Sequence, residues 1–205
     1  ACGIDAFIHA EEAYTSTAAS PFSDAMAEKA MELIGENIRR FVANRTDVEA
    51  AEAMMVGSLF AGIAFSFARL GNVHAMSHPV SAFFDVPHGV ANAVLLPVVA
   101  EYNALADHGR YYKIYNYISE IPAYEDEFEP MMLVDAIRSL CKAIGIPANL
   151  TEAINRAGKT GSISRETIEE KIEAMAADAM KSGNIAVNPR SSRQCDIEML
   201  YRKAL

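Results

Sequence analysis

Apolar residues recur at three- and four-residue steps along most of the chain, the spacing that lines one face of an α-helix. From Ile4 to about Thr17, the residues Ile4, Phe7, Ile8 and Tyr14 fall near one face. Ser20 followed by Pro21 supplies a second start, a capping hydroxyl ahead of a residue whose missing N–H has no partner to lose in the first turn. The helix it opens runs to about Asn44, with Phe22, Met26, Leu33, Ile34, Ile38 and Phe41 on one side and Glu28, Lys29, Glu32, Glu36, Arg39 and Arg40 on the other. Thr46 and Glu49 have the spacing of a capping box and predict a third helix to about Leu70. Its stretch Ala53–Ala68 is uncharged and apolar on nearly all sides, so a central, buried helix is expected.

Gly71-Asn72 breaks that helix, and a short one carrying His74 and His78 follows, ending near Pro87. The next begins at Gly89 and contains Pro97, where a lost backbone hydrogen bond predicts a kink. After His108-Gly109 come aromatic and acidic segments, then a helix over Met131–Ile144 closed by Gly145-Ile146-Pro147. Ser164 is read as the cap of a charged helix to about Lys181, residues 183–193 as a loop, and Asp196–Ala204 as a terminal helix. No stretch alternates apolar and polar residues between turn signals, so the fold class is all-α. Neither a repeat nor a linker divides residues 1–205. Glycine and proline punctuation over 145–163 makes that region the weakest joint.

Composition adds limits. With 205 residues and 51% hydrophobic content, the chain has ample material for a core. A net charge of −9 without a basic block excludes a surface that binds nucleic acid by neutralising phosphates. Cys2, Cys141 and Cys195 are too few and scattered for a disulfide framework, which points to packed, inert thiols in a reducing, cytoplasmic compartment. The start ACGIDAF has neither an initiator Met nor a signal peptide and reads as a piece of a longer protein. The run Ala53–Ala68 falls short of the roughly 20 residues that span a bilayer, so no membrane role is expected.

The candidate chemistry lies in Gly71–Pro97, GNVHAMSHPVSAFFDVPHGVANAVLLP, which holds His74, His78 and His88. Asp5 and His9, four residues apart, point the same way from consecutive helical turns and offer two more donors. A divalent transition metal needs about four such nitrogen and oxygen ligands on rigid elements. His74 and His78 have the spacing of a ligand pair on one helix, so spacing alone leaves open which of His74, His78 and His88 bind. His108, in a loop beside Asp107, reads as a surface residue.

The segments GIDAFIHAEEAY, AGIAFSFARLGNVHAMSHPVSAFFDVPHGVANAVLLP and NPR resemble the iron-containing alcohol dehydrogenases, over essentially the whole chain. The resemblance is to the helical C-terminal half of that family, of dehydroquinate synthase-like fold; the N-terminal nucleotide-binding α/β half is not in this sequence. It implies that Asp5, His9, His74 and His88 are metal ligands for Fe²⁺, with Zn²⁺ also suited, and that His78 lies beside the nicotinamide of NAD(P) instead. It also implies that Phe65, Phe67 and Asn184 border the substrate, with Asn184 and Asn188-Pro189-Arg190 on a loop near the cleft. Ser81 stands where H-P-x-G-A has glycine, and Phe67 where many members carry a small or amide residue. Both bear on substrate size and polarity.

The implied activity of the whole protein is NAD(P)-dependent interconversion of a primary alcohol or diol with its aldehyde. The 205-residue chain alone is expected to turn over negligibly, and any apolar face left open to favour self-association. Two alternatives remain at this level. One is a metal-dependent hydrolase that uses no dinucleotide; the other is a non-catalytic helical interaction module with core histidines.

Overall fold

A computed structural model describes residues 1–158 and 162–205. The described residues form eleven α-helices and no strand, as the all-α reading requires: α1 (Cys2–Thr15), α2 (Pro21–Ala43), α3 (Val48–Ala68), α4 (Asn72–Phe84), α5 (His88–Asn103), α6 (Arg110–Ile118), α7 (Pro130–Ala143), α8 (Leu150–Ala157), α9 (Arg165–Glu169), α10 (Ile172–Ala179) and α11 (Gln194–Ala204). Ile4, Phe7, Ile8 and Tyr14 of α1 are all buried. Ser20 caps α2 by accepting from Ser23 N–H, with Pro21 in the first turn.

The central position belongs to α5. It packs on α1, α4, α7, α8 and α11 and buries Leu95, Leu96, Val98 and Val99, each worth roughly 1.5–3 kcal/mol relative to exposure. α3, expected there, packs one face only. That face is mostly small, Ala50, Gly57, Ala61, Ala64 and Ala68, with Met54 its one large side chain. A Cβ on Gly57 would stand 2.7 Å from Ile34 Cγ1, so glycine lets α2 and α3 approach closely. The larger side chains point away, with Met55 75%, Leu59 63% and Phe67 64% exposed. Hydrophobicity all round the helix therefore did not mean burial all round. By length and composition alone, the 21-residue α3 and the stretch His88–Ala106 are each long and apolar enough to cross a membrane.

Other expectations are corrected locally. Asp47, not Thr46, caps α3, accepting from Ala50 N–H at 3.0 Å. Thr46 bonds Asn44 instead. The helix expected from Ser164 to Lys181 is two, α9 and α10, interrupted at Glu170–Lys171. The region read as a joint at 145–163 contains α8, capped by Asn149 through Glu152 N–H. Residues 159–161 of that joint lie outside the described residues. Of the thiols expected to be packed, only Cys141 is buried; Cys2 and Cys195 are exposed.

Candidate metal centre

The N-terminus of α4 organises the site. Gly71 stands at its cap position with no side chain to accept the free N–H groups of the first turn, so those acceptors come from elsewhere in the chain. Asn72 N–H donates to Asn188 Oδ1 at 3.1 Å. Val73 N–H donates to Glu12 Oε1 at 2.6 Å, and His74 N–H to Glu12 Oε2 at 3.4 Å. A carboxylate from α1 thus sits on the positive end of the α4 dipole. Glycine is required for this approach: a Cβ on Gly71 would lie 2.9 Å from both Asn188 Oδ1 and Glu12 Oε1.

Glu12 also fixes the imidazole behind that turn. His74 Nδ1 lies 2.6 Å from Glu12 Oε2, both residues being buried. The Nδ1 proton therefore points at the carboxylate, and the lone pair of Nε2 points the other way. Gly89 brings α5 against the start of α1, where a Cβ would meet Ala1 O at 2.9 Å and Asp5 Cβ at 3.1 Å. That approach carries His88, the first residue of α5, to Asp5. Acceptor atoms of Asp5, His74 and His88 then lie within 4.8 Å of one another.

Asn92, one turn beyond His88, aims its amide into the same space. Its Nδ2 is 2.6 Å from Asp5 Oδ1, 3.0 Å from His74 Nε2 and 3.0 Å from His88 Nε2. An amide nitrogen carries two hydrogens, so three acceptors compete for two protons. Asn92 Oδ1 is buried without a partner. This excess of converging lone pairs, from one carboxylate and two imidazoles, is the donor set a divalent transition ion takes. Residues and group fit.

His9 stands beside that set and outside its common 4.8 Å radius. Its Nδ1–H donates to Asp5 O at 2.7 Å, which leaves Nε2 as the lone-pair nitrogen, and its ring centre is 4.3 Å from that of His74. Burial lowers the pKa of His9 below the usual imidazole value, reinforced by the like charge of His74. His88 is lowered by burial above all. His78 is lowered by burial and then by His88 and His74. In all three the shift favours the neutral imidazole.

His78 is exposed on the outer side of α4 and stacks on His88, ring centres 5.3 Å apart and planes at 17°. Phe65 packs against His9 at 4.8 Å between ring centres. Phe67 instead faces Phe22 on the surface at 5.0 Å. Asn184 opens a short turn before Asn188: its backbone N–H donates to Ser182 Oγ and its carbonyl accepts from Val187 N–H. Asn188 is a structural knot: besides Asn72 it joins Asn103 Oδ1 at 2.8 Å and Arg190 O at 2.7 Å. Arg190 lies over the Tyr102 ring at 3.9 Å. His108 is exposed. Sequence reasoning missed Glu12 and Asn92. Their signal was available, since Glu12 continues the Asp5, His9 face by three residues and Asn92 follows His88 by four.

Comparison with known proteins places this chain in a family. The profile described as Fe-containing alcohol dehydrogenase family, C-terminal, matches residues 1–205. The chain is 39% identical over 205 residues to 1,3-propanediol dehydrogenase of Citrobacter freundii, covering all of this chain and 50% of that protein. It is 34% identical over 199 residues to NADPH-dependent butanol dehydrogenase of Clostridium saccharobutylicum, covering 97% of this chain and 48% of the relative. The crystal structure of a 1,3-propanediol oxidoreductase superposes with a TM-score of 0.86 at 39% identity, over 99% of this chain and 50% of that one. The chain therefore spans about half the length of these relatives.

Proposed function

This chain belongs to the iron-containing alcohol dehydrogenase family, and from that premise we propose that residues 1–205 are the helical, metal-binding part of an NAD(P)-dependent dehydrogenase. The whole protein interconverts a primary alcohol or diol with its aldehyde, and the nucleotide-binding half lies outside this sequence. The observation that carries the proposal is the convergence of Asp5 Oδ1, His74 Nε2 and His88 Nε2 on one buried point.

Asp5, His74 and His88, with His9 alongside, would hold the ion; the family name favours iron, and the nitrogen and oxygen donors also suit zinc. A divalent ion held there supplies the Lewis acidity that lowers the pKa of an alcohol hydroxyl or polarises a carbonyl. Each protein group has its own task. Glu12 keeps the His74 proton on Nδ1, so that Nε2 stays available, and the His9 bond to Asp5 O does the same for its ring. His78, outside the acceptor set and stacked on His88, faces the nicotinamide side, where it orients the ring or relays the alcohol proton. Phe65 walls the substrate space against His9, with Phe67 and Asn184 farther out. NAD(P), when bound, would supply the hydride-transfer chemistry.

The test is metal content and dehydrogenase activity of the full-length protein and its variants. His74→Ala and His88→Ala should lose the metal, whereas His78→Ala should keep it and lose turnover. Equal metal loss in all three variants would replace the proposed set by a ligand pair on α4. Robust NAD(P)-dependent turnover by residues 1–205 alone would refute the division of labour between the two halves.

A further inference from the structure

We propose that Asn92 competes with the metal for its ligands and so sets how tightly the centre is loaded; the inference rests on the metal reading of Asp5, His74 and His88. Its carboxamide nitrogen lies within 3.0 Å of an acceptor atom on each of the three. The Asn92 side chain is buried, at 0% exposure, as is His74, while Asp5 and His88 are half-buried, so water cannot readily take its place against His74.

The competition follows from counting lone pairs. A neutral imidazole has one lone pair, on the nitrogen that lacks the proton. On His74 that nitrogen is Nε2, because Nδ1–H is committed to Glu12. The same lone pair cannot accept a hydrogen from Asn92 and bind a cation. Metal entry must therefore break the Asn92 contacts to His74 and His88, whereas a carboxylate oxygen has lone pairs to spare and the contact to Asp5 survives.

Asn92 thus finds three acceptors for its two amide hydrogens in the metal-free centre and only one, on Asp5, in the loaded centre. The unpartnered Oδ1 fits the same picture. The amide is held by its nitrogen side alone, so its withdrawal breaks no second bond. A residue that merely braced the ligands would give the opposite sign on removal, because loss of bracing weakens metal binding.

The experiment is Co²⁺ titration of the chain and its variants, read from the visible absorption of the bound ion, together with urea unfolding of the metal-free proteins. Asn92→Ala should bind Co²⁺ about tenfold more tightly, a change of ~1.4 kcal/mol, while its metal-free form unfolds at lower urea. Asn92→Ser, with a shorter donor, should shift both in the same direction by less, and serves if the alanine variant does not fold. In the wild type, the Asn92 side-chain amide resonance should move when Zn²⁺ is added, a readout that needs no variant. Weaker or unchanged Co²⁺ binding in the folded variants, or an amide resonance indifferent to Zn²⁺, overturns the inference. His74→Ala is the control that separates the two levels: wild-type Co²⁺ affinity in that variant would sink the metal reading itself and this inference with it.

Discussion

Replacing Glu12 by glutamine changes one oxygen and removes one charge, yet it strikes three contacts together. The carboxylate accepts from Val73 N–H at 2.6 Å, from His74 N–H at 3.4 Å and from His74 Nδ1 at 2.6 Å. A carboxamide has one acceptor oxygen and one donor nitrogen, so one of its ends must face a buried N–H. An unsatisfied buried donor costs about 1–3 kcal/mol, and the loss of charge assistance at the other end adds to it. Glu12→Gln should therefore destabilise the metal-free protein by about 2–3 kcal/mol, which for a chain of this size lowers Tm by roughly 5–10 °C. The second effect is on the ligand. With Nδ1–H no longer committed to a carboxylate, His74 can place its proton on Nε2 and lose the lone pair aimed at the centre, and metal affinity should fall 10–100-fold. Calorimetric melting and chelator-competition titration measure the two separately. A variant with wild-type affinity and unchanged Tm would refute the account of Glu12 as the residue that sets the His74 tautomer. Lower stability with unchanged affinity would reduce it to a cap on α4.

Three further outcomes are expected. Gly35→Ala should cost about 3 kcal/mol or more in urea unfolding, because the added Cβ would fall 2.1 Å from Tyr117 O, a backbone atom that cannot swing aside; a neutral result would mean that α2 and α6 separate easily. In thiol labelling, Cys2 and Cys195 should react quickly and Cys141 only on unfolding, since burial pushes its pKa up to about 12. His9, His78 and His88 should make metal-free stability fall as pH drops below about 6.5, whereas buried Glu11, its carboxyl pushed up to about 8 by desolvation, acts in the opposite sense over the same window. In that window the unfolded chain protonates imidazoles that His9, His78 and His88 resist protonating when folded, so the unfolded state binds more protons. Urea midpoints between pH 5 and 7.5 in a Glu11→Gln variant, which lacks the opposing carboxyl, check this, and a midpoint that rises on acidification there would contradict the sign.

How much of this was legible in the sequence depended on whether the signal was local. Helix starts marked by their own side chains were readable, as at Ser20-Pro21. The neighbouring start at α3 was misassigned by one residue, because Thr46 and Asp47 are both capping residues and only the geometry chooses. Direction was harder. In α3 the small residues face inward and the large ones outward, which flattens the hydrophobic period and suggests burial that only the Ala and Gly face has. α8 escaped because its eight residues lie among the glycine and proline signals of a loop. At the candidate centre, spacing identified residues able to point the same way, Asp5 with His9 and His74 with His78, and left the choice among the later histidines to the family resemblance. Glu12 and Asn92 were missed for one physical reason: each acts on a residue of another helix or across a turn, and a carboxylate or amide shows its importance only once it is buried.

The start of α4 is shared property, and that has a thermodynamic meaning. Adjacent peptide groups there are held by two distant parts of the chain, Asn72 N–H by Asn188 and Val73 N–H by Glu12. Whatever steadies that turn from one side steadies it for the other. By linkage, the effect is reciprocal: if order in the loop around Asn188 favours the bound ion, the bound ion must favour order in the loop by the same factor. Ion occupancy should then be readable far from the ligands, as slower proteolytic cutting within residues 183–193. Asn188→Ala should erase that protection while also weakening the ion's hold, although Asn188 carries none of the converging ligand atoms.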